Sequence, residues 1–177
     1  LSQLCFSHSV PFTLKVGGPC AERDMFDAFQ IGATNIIVPM VESIFALEHC
    51  VNSFIKLRQQ FGKLFSIPNL LINVETKTAI FNLSQILESI HIQSMPIAGL
   101  VIGRTDLTNS LGCPDVDSET ILDFSKTILR CSLNYDIPVT LGGNLTFHSF
   151  DFIRSLSEFD LFAFESRKST FRTTKSL

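Results

Sequence analysis

Two acidic residues stand where a sheet of parallel strands usually places its functional groups. Glu75 ends the apolar segment 69–75, and Asp106 follows the next apolar segment, 97–103. Working residues of α/β proteins collect at the carboxyl ends of the strands. Because adjacent strands lie about 4.8 Å apart, carboxylates leaving two neighbouring strand ends can converge on one ion. Two oxygen donors from protein, with water and substrate in the remaining positions, is a common way to hold Mg²⁺.

Both acids also have an ordinary structural explanation. Glu75 could pair locally, and Asp106 could cap the turn at Thr108 and Asn109. Acidic residues are common at strand-to-helix junctions, where they interact favourably with the helix N-terminus. The position of the two acids alone therefore leaves a metal site and a local structural role both open.

The segments that would position these acids alternate between two patterns. Short apolar runs, which are typical of strands covered on both faces, occupy residues 13–17, 35–40, 69–75, 97–103, 138–142 and 160–164. Between them, apolar residues recur every three or four positions, as helices require, within residues 44–61, 79–90 and 121–135. Six strands alternating with helices predict an α/β fold with a parallel sheet, either doubly wound or closed as a barrel. A (β/α)8 barrel usually takes about 250 residues, so this chain would lack about two βα units.

Composition favours one domain, residues 1–177, and excludes several classes of partner. The net charge is −3, and no basic block is available to neutralise a phosphate backbone, so we expect neither nucleic acid nor a membrane surface as partner. No apolar run approaches the roughly 18 residues of a spanning helix. Five irregularly spaced cysteines fit free thiols in a reducing compartment, which predicts a cytoplasmic protein.

Three sequence blocks around the two acids resemble the HpcH/HpaI aldolase and citrate lyase β family. They are IGATNIIVPMVES (31–43), INVETKTAIFNLSQIL (72–87) and IAGLVIGRTDLTNSLG (97–112). They follow the family's order and spacing, with a strand ending in Glu-Thr and a later strand ending in Gly-x-x-Asp-Leu. The resemblance implies a (β/α)8 TIM barrel, incomplete here, with Mg²⁺, Mn²⁺ or another divalent ion on Glu75 and Asp106.

The same resemblance implies roles for further residues. Lys15 takes the position where family members usually carry an arginine that holds the carbonyl oxygen, and it is the predicted catalytic residue, although a solvated lysine at a strand end remains an alternative. The predicted substrate-binding residues are Pro39, Asn73, Gly103, Arg104 and Thr105. The backbone amides of Arg104, Thr105 and Asp106 would donate to a substrate carboxylate, whereas the Arg104 side chain is expected to point to solvent or to a substrate tail.

Some local predictions do not depend on the resemblance. We expect Glu42 to cap the helix that begins near Ser43, Glu165 and Arg167 to end the last strand, and residues 167–176 to form a surface tail or a short closing helix. None of the four histidines is placed to act as a proton shuttle. His8 lies upstream of the matched strands, in no recognisable motif.

Aligned with the family, the strand at Lys15 is the third of a barrel, and strands one and two have no counterpart in this chain. The chain could be a fragment, a shortened barrel completed by a partner chain, or a relative without catalysis. Open edges of this kind favour assembly, so a homo-oligomer is expected. The predicted function is a metal-dependent carbon–carbon lyase, working by aldol or retro-aldol cleavage on a small 2-oxo or 2-hydroxy acid. The alternatives are an acyl-CoA lyase of the citryl or malyl type and a non-catalytic barrel that retains the metal site.

Overall fold

A computed structural model of the chain describes residues 1–166 and 168–173. The strands are β1 (Thr13–Lys15), β2 (Asn35–Val38), β3 (Asn69–Val74), β4 (Ile97–Gly103), β5 (Val139–Gly142), β6 (Ala163–Glu165) and β7 (Thr170–Arg172). The helices are α1 (Ser2–Ser7), α2 (Glu22–Gln30), α3 (Ile44–Phe61), α4 (Lys77–Phe81), α5 (Leu83–Ile92), α6 (Arg104–Leu111), α7 (Glu119–Leu133) and α8 (Phe150–Ser157), with a 3₁₀ turn at Phe147–Ser149.

The seven strands form one curled sheet in sequence order, from β1 to β7. Strands β1 to β6 are parallel to their neighbours, and β7 runs antiparallel along β6. Sequential parallel strands joined by helices are the arrangement of a TIM barrel, and the sheet here is a half-barrel. The predicted α/β class and incomplete barrel are therefore confirmed.

The core lies between the sheet and the helices outside it. The central strands are buried over most of their length, as their high content of Ile, Leu and Val predicts. The predicted helical stripes supply the other side of this layer; Phe29 of α2 and Phe54 of α3, for example, contact each other with ring centroids 5.7 Å apart. Adjacent strand ends are held in register by this packing, so the residues that follow them form one rim.

Local sequence signals account for several of the helix ends. Gly32 after α2 has φ +70°, a left-handed conformation that glycine adopts readily at helix ends, and Thr146 caps the turn at Phe147 with a capping box. The prediction that Glu42 caps α3 is wrong: Ser43 is the N-cap and accepts from the amide of Ala46, while Glu42 accepts a hydrogen bond from the Thr76 hydroxyl. Serine takes the cap because its short side chain reaches the helix's own free amides.

Three further elements differ from the sequence prediction. The apolar stripe over residues 79–90 is divided at Asn82 into two helices, and α6 follows β4 without a predicted stripe of its own. Residues 170–172, expected in a tail or closing helix, form β7, because the otherwise open edge of β6 offers backbone partners. Arg167 and residues 174–177 lie outside the described residues. Among the helices that are described, none has the length and apolar character needed to cross a bilayer.

Candidate active site

The carboxyl ends of the parallel strands surround a cavity of about 150 Å³. Residues from five strands and from the first turn of α6 contribute to its wall: Lys15, Ile37, Asn73, Val101, Gly103, Thr105, Asp106, Gly143 and Glu165. The wall thus combines a lysine, an amide and two acids on an apolar floor. This is the rim at which barrel proteins place their chemistry.

Glu75 lies behind this wall and is almost completely buried, with 2% of its surface exposed. Its Oε2 accepts from Lys15 Nζ at 2.8 Å and from Asn73 Nδ2 at 2.5 Å, and its Oε1 accepts from the amide of Met40 at 3.2 Å. These three donors offset the cost of burying the carboxylate. In this structure Glu75 is therefore paired with neighbouring protein groups, which is the local role that the sequence left open beside a metal site.

Gly103 at the end of β4 allows the close approach of Glu75. A Cβ atom at position 103 would lie 2.7 Å from the Cβ of Glu75 and 3.0 Å from its Oε2. Contacts that short do not occur between real side chains, so any larger residue would displace the carboxylate. Gly103 thus shapes the site through its lack of a side chain.

Asp106 lies in the first turn of α6, and its side chain is 58% exposed. Its Oδ2 is 4.0 Å from the same Lys15 Nζ that contacts Glu75. The two acids proposed from the sequence therefore face one positive charge from two directions. In the described part of the chain, the N-terminus of α6 carries no side-chain cap hydrogen bond at its N-cap residue, Gly103.

The oxygen atoms around Lys15 Nζ are of the type that binds a hard divalent ion. Glu75 and Asp106 provide carboxylate oxygens, and the neighbouring amide oxygen, Asn73 Oδ1, is buried with no hydrogen-bond partner among the described residues. All of these are oxygen ligands of the type that Mg²⁺ and Mn²⁺ prefer. Within residues 1–166 and 168–173, no cluster of three or more His, Cys, Asp or Glu side chains is placed to hold an ion.

The Arg104 side chain is the clearest correction to the sequence analysis. It was expected to reach solvent or a substrate tail, yet it is fully buried. Its guanidinium donates to the carbonyl oxygens of Gly142, Gly143 and Val116, forms an ion pair with Asp117, and lies 4.7 Å from the centre of the Phe152 ring. Burial lowers the pKa of Arg104, and the pairing with Asp117 acts in the opposite direction. Arg104 thus ties the segment before α7 to the end of β5 and the residue that follows it.

The backbone of Arg104 and Thr105 faces the loop that follows β5. A Cβ atom at Gly143 would lie 2.6 Å from the amide nitrogens of both Arg104 and Thr105, and Gly143 has φ +88°. Only glycine combines this backbone conformation with so close an approach. Thr105 and Gly143 both line the cavity, so the first turn of α6 is exposed to whatever occupies it.

Glu165 at the end of β6 is an acid that the sequence analysis noted only by its position. It lines the cavity, with its Oε1 packed against Gly142. Burial raises the pKa of Glu165, and the charge of Lys15 opposes that rise. Its place at the end of a parallel strand was the signal available in the sequence. The curl of the sheet brings Glu165 into the same cavity wall as Lys15, which the sequence does not show.

The remaining predicted residues lie apart from the cavity. Pro39 is buried just after β2 and is absent from the cavity wall. His8, His49, His91 and His148 all lie outside the wall as well. The five cysteines are free thiols, as predicted.

Comparison with known proteins gives the same fold. The structure of a family protein from Burkholderia cenocepacia J2315 matches with a TM-score of 0.66 at 14% identity, over 84% of this chain and 63% of that protein. An HpcH/HpaI aldolase from Desulfitobacterium hafniense DCB-2 matches with a TM-score of 0.68 at 12% identity, over 91% of this chain and 67% of that protein. The magnesium and glyoxylate complex of Haloferax volcanii malate synthase matches with a TM-score of 0.62 at 12% identity, over 78% of this chain and 43% of that protein.

These identities are low enough that the structural matches establish the fold alone, and the chain spans about two thirds or less of each protein's length. No curated protein matches the sequence. The family model for HpcH/HpaI aldolase/citrate lyase, however, matches residues 15–137, which include Lys15, Glu75 and Asp106. The chain therefore belongs to the HpcH/HpaI aldolase/citrate lyase family.

Proposed function

We propose that this chain is a metal-dependent carbon–carbon lyase that acts on a small 2-oxo or 2-hydroxy acid by aldol or retro-aldol cleavage. The observation that carries the proposal is the convergence of Glu75 and Asp106 on one cationic centre at the ends of adjacent strands β3 and β4. Family membership supports the reaction class, because the family comprises aldolases and lyases.

The polar groups in the cavity wall and directly behind it would have definite tasks. Glu75 and Asp106 would hold Mg²⁺ or Mn²⁺, with Asn73 Oδ1 as a further oxygen close by. A divalent ion at this place would supply a Lewis acid that stabilises the negative charge developing on a carbonyl oxygen. The exposed first turn of α6 at Thr105 would receive the substrate carboxylate, since helix N-termini favour anions.

Proton transfer falls to Glu165 in this proposal. Of the two carboxylates in the cavity wall, Asp106 is assigned to the ion, and Glu165 stands on a different strand with its carboxyl group facing the cavity. A carboxyl group that retains its proton more readily than a free glutamate can donate it to a developing carbanion. Lys15 is the cation that faces Glu165 across the cavity and would orient the substrate as a point charge.

The substrate class rests on size and charge. A cavity of about 150 Å³ accommodates a few non-hydrogen atoms, as in a two- or three-carbon oxo acid. The Haloferax malate synthase, which shares the fold, is complexed with magnesium and glyoxylate. Glyoxylate and pyruvate are therefore the first compounds to test. An acyl-CoA lyase remains the closest alternative within the family.

A non-catalytic barrel is favoured by one specific observation. Lys15 pairs with Glu75 directly, so the site already contains a positive charge without a metal ion.

A cytoplasmic location and a homo-oligomeric state are also part of the proposal. The free thiols support the first, and the short strand β1 at the edge of the sheet supports the second.

The test is exchange of pyruvate methyl protons in D₂O, followed by NMR with the 177-residue chain and Mn²⁺ or Mg²⁺. A working site exchanges them only when the ion is present. Glu75→Gln and Asp106→Asn should each reduce exchange on the order of 100-fold, the upper end of what loss of a supporting group costs at a metal site. Glu88→Gln and Asp123→Asn, which alter exposed acids on α5 and α7, are the matched controls. Unchanged proton exchange in Glu75→Gln and Asp106→Asn, or no exchange in the wild type, would refute the proposed lyase activity.

A further inference from the structure

We propose that Lys15 is the resident cation of the Glu75–Asp106 site and competes with the divalent ion, so that an ion binds Glu75 Oε2 only when Lys15 Nζ leaves it. This inference rests on the proposed function, because it concerns the same two acids. It goes further by making Lys15 the residue that sets how tightly the ion binds.

The first step is that Glu75 is closed on the side of the cavity. Its side chain is 3% exposed, and the cavity wall contains Lys15 and Asn73 but not Glu75 itself. Both lone pairs of Oε2 are taken, one by Lys15 and one by Asn73, and Oε1 accepts from Met40. A ligand bond from Oε2 to an ion therefore requires one of its two donors to withdraw.

Lys15 is the donor that can withdraw. Asn73 is 3% exposed and is held within β3, whereas the Lys15 side chain is 46% exposed and projects from the end of the edge strand β1. Its flexible four-carbon stem leaves the ammonium free to move through the cavity. Asp106 and Glu165 line the same cavity, so a displaced ammonium remains among carboxylates.

The second step is that the ammonium and a divalent ion exclude each other. Two cations bound to one carboxylate oxygen repel strongly at the low effective dielectric of a buried site. Without an ion, however, a buried Glu75 carboxylate needs the lysine as its partner. Lys15 and the ion thus stabilise Glu75 alternately, and the affinity measured for the ion includes the cost of releasing Lys15.

Titration calorimetry with Mn²⁺ alone tests this competition. Lys15→Met removes the charge and keeps most of the side-chain length, and Lys63→Met makes the same change at an exposed position between α3 and β3, at the opposite end of the strands. We expect Lys15→Met to bind Mn²⁺ about tenfold or more tightly than the wild type, a modest coupling between two sites, and Lys63→Met to bind as the wild type does.

Equal or weaker binding in Lys15→Met than in the wild type would overturn the competition. If that equal binding is lost in Asp106→Asn, the metal site of the proposed function still stands. An absence of Mn²⁺ binding in all variants would instead overturn both the competition and the metal-dependent lyase.

A second measurement uses the wild-type side chain, in case Lys15→Met does not fold. Reductive ¹³C-methylation labels the lysines without removing their charge, and Lys15→Arg identifies the signal of Lys15. Titration with Mg²⁺ should shift the Lys15 signal while the signal of Lys63 stays in place. The midpoint of that shift should match the Mg²⁺ dissociation constant measured by calorimetry on the same protein. Saturation with Mg²⁺ without any shift of the Lys15 signal would overturn the proposal.

Discussion

Two cation–carboxylate pairs lie at the same end of the sheet, and they differ in how completely the cation is enclosed. Lys15 pairs with Glu75 at the cavity wall, with the acid buried and the lysine 46% exposed. Arg104 pairs with Asp117 below the wall, with the arginine side chain fully buried and the acid 23% exposed. The buried partner is thus the anion in one pair and the cation in the other.

This difference separates a structural pair from an exchangeable one. The planar guanidinium of Arg104 is bonded to three carbonyls as well as to Asp117, and no mobile ion could satisfy all of these acceptors. Lys15 makes a single close contact with Glu75 and stands next to the cavity. A carboxylate buried at the wall with a movable cation is suited to binding ligands, whereas a buried arginine is suited to fixing loops.

The largest expected effect is that of Arg104→Gln. Loss of the guanidinium leaves Asp117 and three carbonyls without their donor, and breaking such a pair costs about 3 kcal/mol, the lower end of the usual range because Asp117 is partly exposed. The urea midpoint should fall accordingly. Arg154→Gln, at an exposed position of α8, is the control and should leave the midpoint unchanged. Equal midpoints for both variants would contradict the structural role of Arg104.

Gly103→Ala should have the next largest effect, and it acts on the Lys15 pair. The added methyl group would overlap Glu75, and such overpacking costs roughly 1–3 kcal/mol. Gly17→Ala is the control, because its new methyl group would meet only the end of the Asp24 side chain, at 3.1 Å. Urea unfolding of both variants gives the comparison. A fully stable Gly103→Ala would show that Glu75 does not need its present position.

Lys15→Met should be less destabilising than Arg104→Gln. Since the lysine is half exposed and Glu75 keeps its two other donors, we expect a loss of about 1 kcal/mol, the upper end of the values for exposed pairs and below those for buried pairs. Measured in the same urea series, a loss equal to that of Arg104→Gln would remove the distinction between the two pairs. Because any native state that binds the ion is stabilised, the comparison is made with the wild type at the same Mn²⁺ concentration. Added Mn²⁺ should narrow the difference between Lys15→Met and the wild type and should leave the difference between Arg104→Gln and the wild type unchanged.

The smallest effect concerns Glu165 and pH. Burial raises the pKa of Glu165 above its ordinary value of 4.5, so its contribution to stability is fully present below pH 4.5 and is lost as pH rises through the raised pKa. Melting temperatures from pH 4 to 8 should therefore fall more with rising pH in the wild type than in Glu165→Gln. Glu158→Gln, at an exposed position after α8, should retain the slope of the wild type. An unchanged slope in Glu165→Gln would contradict the burial of this carboxyl group.

Sequence reasoning was most successful where the signal is local. The six parallel strands and the apolar helical stripes were predicted from periodicity and residue type. Strand β7 was not, because a three-residue strand at a sheet edge is specified by its partner β6 and not by its own composition.

The site was predicted in part for the same reason. The positions of Glu75, Asp106 and Lys15 followed from strand ends and family motifs, and the structure brings all three together. The burial of Arg104 was not predictable, since all four of its acceptors come from residues 116–117 and 142–143, distant in the sequence. An arginine in a motif gives no signal of whether carbonyls will surround it.

By itself, the sequence determined the fold class and the family, because apolar periodicity and short motifs are properties of neighbouring residues. Only the tertiary structure decided that Lys15 contacts Glu75 while Arg104 turns away beneath the cavity. The partner of a charged side chain depends on which groups from distant segments lie within hydrogen-bond distance and on how far the side chain is exposed to water. The curl of the sheet determines both, because it brings the strand ends together.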